Sequence, residues 1–552
     1  MSRAGKTALA AAAASSLGAL LACAHSPSPQ AGAGDGVASV QPQPAVSAQP
    51  EPAGAASSQP AGTAGTLPGE AVLDHRPAIA PLPPFDAPIP QQLALPNGLR
   101  VLLLRRPGAP IEAVQLVHGR GASSDPAGMA GLASLTAAML EAGSAGKTQA
   151  QIAQAADAIG AALHAYASED ATVISISGLS ARTSEMIALL ADVALRPNFD
   201  EGEWARTKAQ RFAGLRSQRS EPRAAASLAF AAAVYGQNPL SRPVSGTPES
   251  VARIELPDVK RFFEGFVPGE AALAVSGSLS AEEVVPLLAA AFGSFRGPAR
   301  VHAAKPGTQA ITPLPALEPP PPPPKASARP RLVLVDYPGK PQSVLQVGLP
   351  SVPRSSPDVL ALRLLNSILG GSFTSRLNQN LREQHGYTYG AGSSFAFGRG
   401  PGPFVAGTSV KTEVTGAALK ELLGEIRRAL DEPLSRPEID KGKALLAFDL
   451  VATLEHADAA AGGAAGIFLY GLPLDEFRTF VPRLDALDAA QVWAAARKAV
   501  DPAALTVVIA GDAEKVLPQL EAAGLKLGPP ELRDADGKLL AKARAPARSV
   551  RR

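Results

Sequence analysis

The sequence predicts an α+β protein made of two homologous α/β sandwich modules, and three observations lead there. Pro107 and Pro110, which close the apolar run 101–104, recur as Pro338 and Pro341 behind the run 332–335, at an offset of 231. Near the far end of each copy, Pro268 leads to Gly277 as Pro502 leads to Gly511, at an offset of 234. Two offsets this close, at opposite ends of the copies, indicate a duplicated domain. Second, a polar, proline-rich stretch (296–329) with six consecutive prolines, Pro319 to Pro324, separates the copies. Third, each copy shows edge strands, a long helical middle and a closing strand–helix unit, the pattern of helices laid on a sheet.

In chain order, Arg3 and Lys6 precede the apolar run 7–22, which has the layout of a signal peptide. The run ends Leu20, Leu21, Ala22, Cys23, which resembles a bacterial lipobox, so Cys23 is the expected lipidation site and membrane anchor. Residues 23–90 are Ala/Pro-rich and carry too little apolar surface to fold, as expected of a disordered tether. Order is expected from 91 to 296, where Pro96, Asn97 and Gly98 form a turn before the strand 99–104. A stiff proline linker (297–329), a second module (330–528) and a frayed basic tail (529–552) complete the expected organisation. With 53 prolines among 552 residues, part of the chain must be linker. The net charge of +3, without interleaved aromatic residues, gives no sign of nucleic-acid binding. Cys23 is the single cysteine, which excludes a disulfide within the chain and a zinc site built on thiolates.

The most informative stretch runs from Gly370 to Tyr389. Leu360, Leu364, Leu365 and Ile368 recur at helical spacing and end at the Gly370–Gly371 stop. A second short helix then turns Leu377 and Leu381 inward and leaves Arg382 exposed, Gly386 closes it, and Tyr389 opens a strand. Arg382 and Tyr389 would face one space, suited to gripping an extended peptide. From residue types alone, a surface ion-pairing Arg and an interfacial Tyr serve as well.

Gly370, Gly371, Ser375, Arg376 and Leu377, followed by Leu381, Arg382, Gly386 and Tyr389, resemble the second half of the pitrilysin/insulinase family of zinc metallopeptidases, the inverzincins. The resemblance extends to residues 95–101, to Gly131, Leu132 and Ala133, to Tyr235 and Gly236 with residues 246–250, and to residues 470–473. It implies two peptidase-like modules forming a clamshell. It also implies that Arg382 and Tyr389 hold the substrate backbone beside the zinc of the other half.

In that family, H-x-x-E-H on the helix after the first Gly-Leu-Ala supplies two zinc ligands and the residue that activates water. Aligned on Gly131, Leu132 and Ala133, those places hold Ser134, Ala137 and Ala138, none able to ligate or act as base. The family's later glutamate ligand would fall near residues 213–215, which cannot ligate either. No two of the seven histidines stand at i,i+3 or i,i+4. His164 with Glu169 and Asp170 is the one local His–carboxylate cluster of the first module, expected at a strand edge, and no Gly-x-Ser-x-Gly elbow or Walker loop is present. No zinc is therefore expected, although the family binds it.

The implied function is a non-catalytic subunit that lends Arg382 and Tyr389 to an active pitrilysin/insulinase-type partner. It would be lipid-anchored in the cell envelope, on the periplasmic side and at the outer membrane. The alternatives are a stand-alone peptide-binding scaffold of the envelope, or an active zinc endopeptidase.

Overall fold

The structure is a computed structural model that describes residues 85–296, 329–535 and 538–542. The apolar leader, Cys23, nearly all of the tether and the six prolines lie outside the described residues. No helix among those described is long and apolar enough to cross a membrane.

The first module opens with β1 (Gln91–Ala94), β2 (Arg100–Arg105) and β3 (Ile111–His118), then α1 (Leu132–Ala142). The short hairpin β4 (Gly143–Ser144) and β5 (Lys147–Thr148) leads to α2 (Gln149–Ala158), β6 (Ala162–Ala167) and β7 (Thr172–Leu179). Five helices follow, α3 (Thr183–Leu195), α4 (Glu201–Arg219), α5 (Pro222–Tyr235), α6 (Pro248–Arg253) and α7 (Leu256–Glu264). β8 (Ala271–Gly277) and α8 (Ala281–Phe292) close the module.

The second module repeats the plan with β9 (Arg331–Asp336), β10 (Gln342–Pro350), α9 (Val359–Leu369) and the single turn α10 (Arg376–Asn378). β11 (Ala391–Phe395) and β12 (Pro403–Lys411) come next. The helices α11 (Thr415–Asp431), α12 (Arg436–Glu455), α13 (Ala457–Tyr470), α14 (Glu476–Ala486) and α15 (Ala489–Ala499) follow. β13 (Thr506–Gly511), α16 (Ala513–Ala522), β14 (Pro530–Arg533) and β15 (Leu539–Lys542) end it.

The duplication is visible in the strand orders. The first sheet runs β6-β7-β3-β8-β2-β1 and the second β11-β12-β10-β13-β9-β14-β15, so five strands correspond one for one. In both, the first long strand pairs parallel with the closing strand, β2 with β8 and β9 with β13. The edges differ: β1 comes from the N-terminal side and runs antiparallel to β2, whereas β14 lies parallel to β9 and carries β15 outside it. The expected frayed tail is thus corrected as far as residue 542. Arg331 clasps Glu531 through two bonds of 2.7 and 2.8 Å, and the free edge of β9 pairs with residues that composition alone marks as polar.

The apolar runs that mark β2, β9 and β13 are continuous rather than alternating because both faces of each sheet are covered. In β2, Val101 and Leu103 pack under the first module's own helices. Leu102 and Leu104 face the other way and join the core of the second module. In β9, Leu332 and Leu334 lie in that core, while Val333 and Val335 pack with Phe230 of α5. The cover is reciprocal. α5 lies across β9, β10 and β13, and α13 lies across β2, β3 and β8. Both helices end in Tyr-Gly, with Gly236 at φ 57° and Gly471 at φ 62°, a left-handed turn that suits glycine.

A buried ion pair pins the arrangement. Arg399, in the loop before β12, donates its backbone N–H to Asp170 Oδ2 at 2.9 Å and its Nη2 to the Asp170 carbonyl at 3.0 Å. Nε lies 3.5 Å from Asp170 Oδ1, and both side chains are nearly inaccessible. The segment before β1 also docks on the second module: Ala87 is buried in its core and Arg478 donates to the Ala87 carbonyl at 3.3 Å. The end of the expected tether, residues 86–90, is therefore part of the folded unit.

Candidate functional site

Helix α1 begins at Gly131, which adopts φ 99°, a conformation that favours glycine, and lies tightly against Gly246, 3.0 Å from where a Cβ would stand. Asp125 fixes this start by accepting from the Gly131 and Ala133 N–H groups at 2.8 and 2.9 Å. Leu132, Leu135, Met139 and Leu140 face the core. Ser134 and Ala138 are half-buried on the opposite face, and Ala137 is buried.

A guanidinium meets this face. Arg211 of α4 donates Nη2 to Ser134 Oγ at 2.8 Å and Nη1 to the Ser245 carbonyl at 3.2 Å. Burial holds its pKa below the usual arginine value. Among the described residues no carboxylate pairs with it. Residues 213–215 do not face Ser134: Ala213 and Gly214 are exposed and Leu215 is buried in the core. The α4 residue that does is Arg211, one turn earlier.

The next carboxyl along the same face, Glu141, accepts the Ala165 N–H of β6 rather than reaching Arg211. Burial pushes its pKa up to about 7. A hydroxyl, two methyl groups and a fixed guanidinium do not fit a zinc ion. They provide no lone pair except an oxygen already engaged, and a positive charge beside it.

The His164 cluster divides on folding. His164 is exposed on the edge strand β6, while Asp170, in the β6–β7 turn, is committed to Arg399. Among the described residues no group of three or more His, Cys, Asp or Glu is placed to hold a metal. His118, not singled out from the sequence, is a buried ring stacked 4.4 Å from Phe266, and burial depresses its pKa to about 3.

In the second module, α9 ends at Gly370 and Gly371, where side chains would strike β11 and Asn366. Ser393 donates to Asn366 Oδ1 at 2.8 Å and the Ala391 N–H to Asn378 Oδ1 at 2.9 Å, which fastens the turn to β11. Arg376 grips Glu438 through two bonds of 2.6 and 2.9 Å and holds its carboxyl down at about 2. Leu377 and Leu381 are fully buried. After α10 the chain makes a π-helical turn, Gln379–Gln384, a rare conformation that is frequent at functional sites.

Arg382 lies on this turn, half-buried, with its guanidinium 4.4 Å from the Phe373 ring and Nε 3.5 Å from Glu383 Oε1. Tyr389 is 97% exposed in a bend, and the strand starts only at Ala391 because Thr388 Oγ1 bonds the Gly390 and Ser409 carbonyls across the intervening turn. No hydrogen bond or ion pair joins Arg382 to Tyr389. Arg223, in the first turn of α5, donates to Ser409 Oγ at 3.0 Å, and Ser409 in turn accepts from Thr388. The helix that follows α4 is thereby tied to the segment carrying Tyr389.

Two family models match the chain in succession. "Insulinase (Peptidase family M16)" covers residues 100–248 and "Peptidase M16 inactive domain" residues 253–446. An uncharacterised zinc protease of Mycobacterium bovis is 29% identical over 318 residues, 57% of this chain and 68% of that one. A Helicobacter pylori protein called a non-peptidase homolog is 22% identical over 391 residues, 69% of this chain and 85% of its own length. Among solved structures, a peptidase M16 inactive domain from Pseudomonas fluorescens shares 28% identity with a TM-score of 0.68, over 77% of this chain and 98% of that one. With its paired sandwich modules and its Gly370–Tyr389 turn, the chain belongs to the insulinase family, peptidase family M16.

Proposed function

We propose that this chain is a non-catalytic member of its family, a peptide-holding subunit that completes the active site of a zinc-bearing partner. It binds no zinc of its own. The observation that carries this reading is the contrast at the site: Ser134 meets an arginine, and Ala137 and Ala138 offer only methyl groups, where the chemistry would need ligands and a base, while the turn carrying Arg382 and Tyr389 is held by Arg376–Glu438 and by Asn378 on β11. The name of the Helicobacter pylori relative points the same way. The division is sound chemically, because zinc and a glutamate do the hydrolysis in one subunit while Arg382 and Tyr389 orient the backbone and meet developing charge from the other. Cys23 would carry acyl chains that keep the pair on the periplasmic side of the envelope, at the outer membrane.

The test is a reconstituted pair with an M16 subunit that has an intact H-x-x-E-H motif. The double change Arg382→Ala, Tyr389→Phe should leave folding and association intact, since Tyr389 is almost wholly exposed. Hydrolysis should fall on the order of a hundredfold, the usual effect of losing a preorganised transition-state donor. Unchanged hydrolysis would leave the chain as a stand-alone binding scaffold. One chelatable zinc per purified chain, lost together with activity, would make it a peptidase in its own right.

A further inference from the structure

We propose that Arg211, standing where its family places the metal, is a binding group for a carboxylate of the held peptide. The inference rests on the reading of the chain as a peptide-holding protein and names the chemistry that its first module recognises. Arg211 donates to one hydroxyl and one carbonyl, and among the described residues no ion pair neutralises it. A partly desolvated guanidinium without a counter-ion is disfavoured, and a bound anion would relieve it. The nearby acids are otherwise engaged. Glu141 caps the Ala165 N–H, Asp125 accepts from the start of α1, and Glu249 lies 3.6 Å from Arg219.

Packing does not require the charge. In the second module the equivalent crossing of α9 and α12 closes without a charged side chain at this point: Leu364, Ser367 and Ile368 pack over Gly442, where an added Cβ would lie 2.6 Å from Leu364 Cδ1 and 2.7 Å from Ser367 Oγ. Ser134 and Ala138, one turn apart and half-buried, keep the corresponding face of α1 low and reachable. A guanidinium fork beside a serine hydroxyl matches the two oxygens of a carboxylate, and its planar geometry favours that group over a neutral amide. In a peptide the carboxylate is either the chain terminus or an Asp or Glu side chain. The site would hold a peptide by a charge at the place where a peptidase would cut it.

The experiment uses the full chain and a short fluorescein-labelled peptide of Gly, Ser and Leu, made as the free acid, as the C-terminal amide, and as the amide with one internal Glu. Kd is read by anisotropy. The free acid should bind roughly tenfold to a hundredfold more tightly than the plain amide, the range for a charge-assisted hydrogen bond. The internal Glu should leave the amide weak if the terminus is the ligand, and should restore affinity if a side chain is. Arg211→Leu should bring every form to the level of the plain amide, and Arg211→Lys should keep part of the preference. Equal binding of all three peptides to the wild-type chain overturns the proposal while sparing the peptide-holding reading. Binding of none of them removes that reading, and this proposal with it. Neither outcome depends on whether a variant folds.

Discussion

Helices α1 and α9 are sisters, each of eleven residues and each ending at a glycine, yet one face of them has diverged completely. Counted from the first residue, Ser134, Ala137, Ala138 and Glu141 of α1 stand opposite Ala361, Leu364, Leu365 and Ile368 of α9. The second set is buried and apolar, sealed by α12. In the first set Ala137 is buried, Ser134, Ala138 and Glu141 are half-buried, Ser134 accepts from Arg211, and the Glu141 carboxyl is pushed up to about 7. The same fold can therefore close this crossing with leucines. The first module keeps this crossing open around Arg211, as the proposed carboxylate site requires.

The shared feature of the two modules is the exchange of α5 and α13, and the strongest way to break it is at the pin between Asp170 and Arg399. Arg399→Ala would leave a nearly inaccessible carboxylate without its partner. The expected loss is about 3–5 kcal/mol, the usual consequence of orphaning one member of a buried pair. Urea denaturation at neutral pH measures it. A loss below about 1 kcal/mol would mean that water reaches the pair and that the modules hold together through α5 and α13 alone.

That pin also marks where reading the sequence stops. The duplication, the apolar strands and the stop at Gly370 were legible because each is local or repeats at a fixed offset. Asp170 and Arg399 are 229 positions apart and give no such signal. The residues 530–542 looked like a tail because edge strands show their pairing only once β9 lies beside them. The strand expected at Tyr389 starts two residues later, since Thr388 takes up backbone carbonyls that composition does not reveal. Arg211 did leave a trace. Trp204, Thr207 and Leu215 are buried at helical spacing along α4, and Arg211 interrupts that stripe at the position between Thr207 and Leu215.

Glu141 sharpens the comparison through pH, because its counterpart Ile368 cannot titrate. Its folded pKa of about 7 lies above the ordinary glutamate value, and burial is the cause. Below about pH 4 both folded and unfolded states hold the proton, and the group carries no penalty. As pH rises toward 7 the unfolded chain releases its proton first, so the folded state loses stability until its own carboxyl ionises. The loss at pH 8 is roughly 1–3 kcal/mol relative to pH 4, from the size of the shift. Glu141→Gln keeps an acceptor for the Ala165 N–H and should remove that slope. Parallel stability curves for the two proteins between pH 4 and pH 8 would show that Glu141 is as solvated as its place near a helix end implies.

The smallest expected effect is the most discriminating for the open face. Arg211→Leu places in α4 the type of side chain that the second module uses at its own crossing. It deletes an unneutralised, partly desolvated charge and leaves the Ser134 hydroxyl, which water can reach, to find another donor. The two terms oppose each other: replacing a buried charge with an apolar group is often neutral or stabilising, and a lost hydrogen bond costs about 1 kcal/mol. Stability should therefore change by no more than about 1 kcal/mol, with an unaltered dependence on urea concentration. Were the variant instead to lose 3 kcal/mol or more, the arginine would be a structural strut between α1, α4 and the Ser245 loop, and the difference between the sister helices would reflect two ways of packing. A stability-neutral variant, by contrast, leaves ligand binding as the one property through which Arg211 distinguishes the two modules.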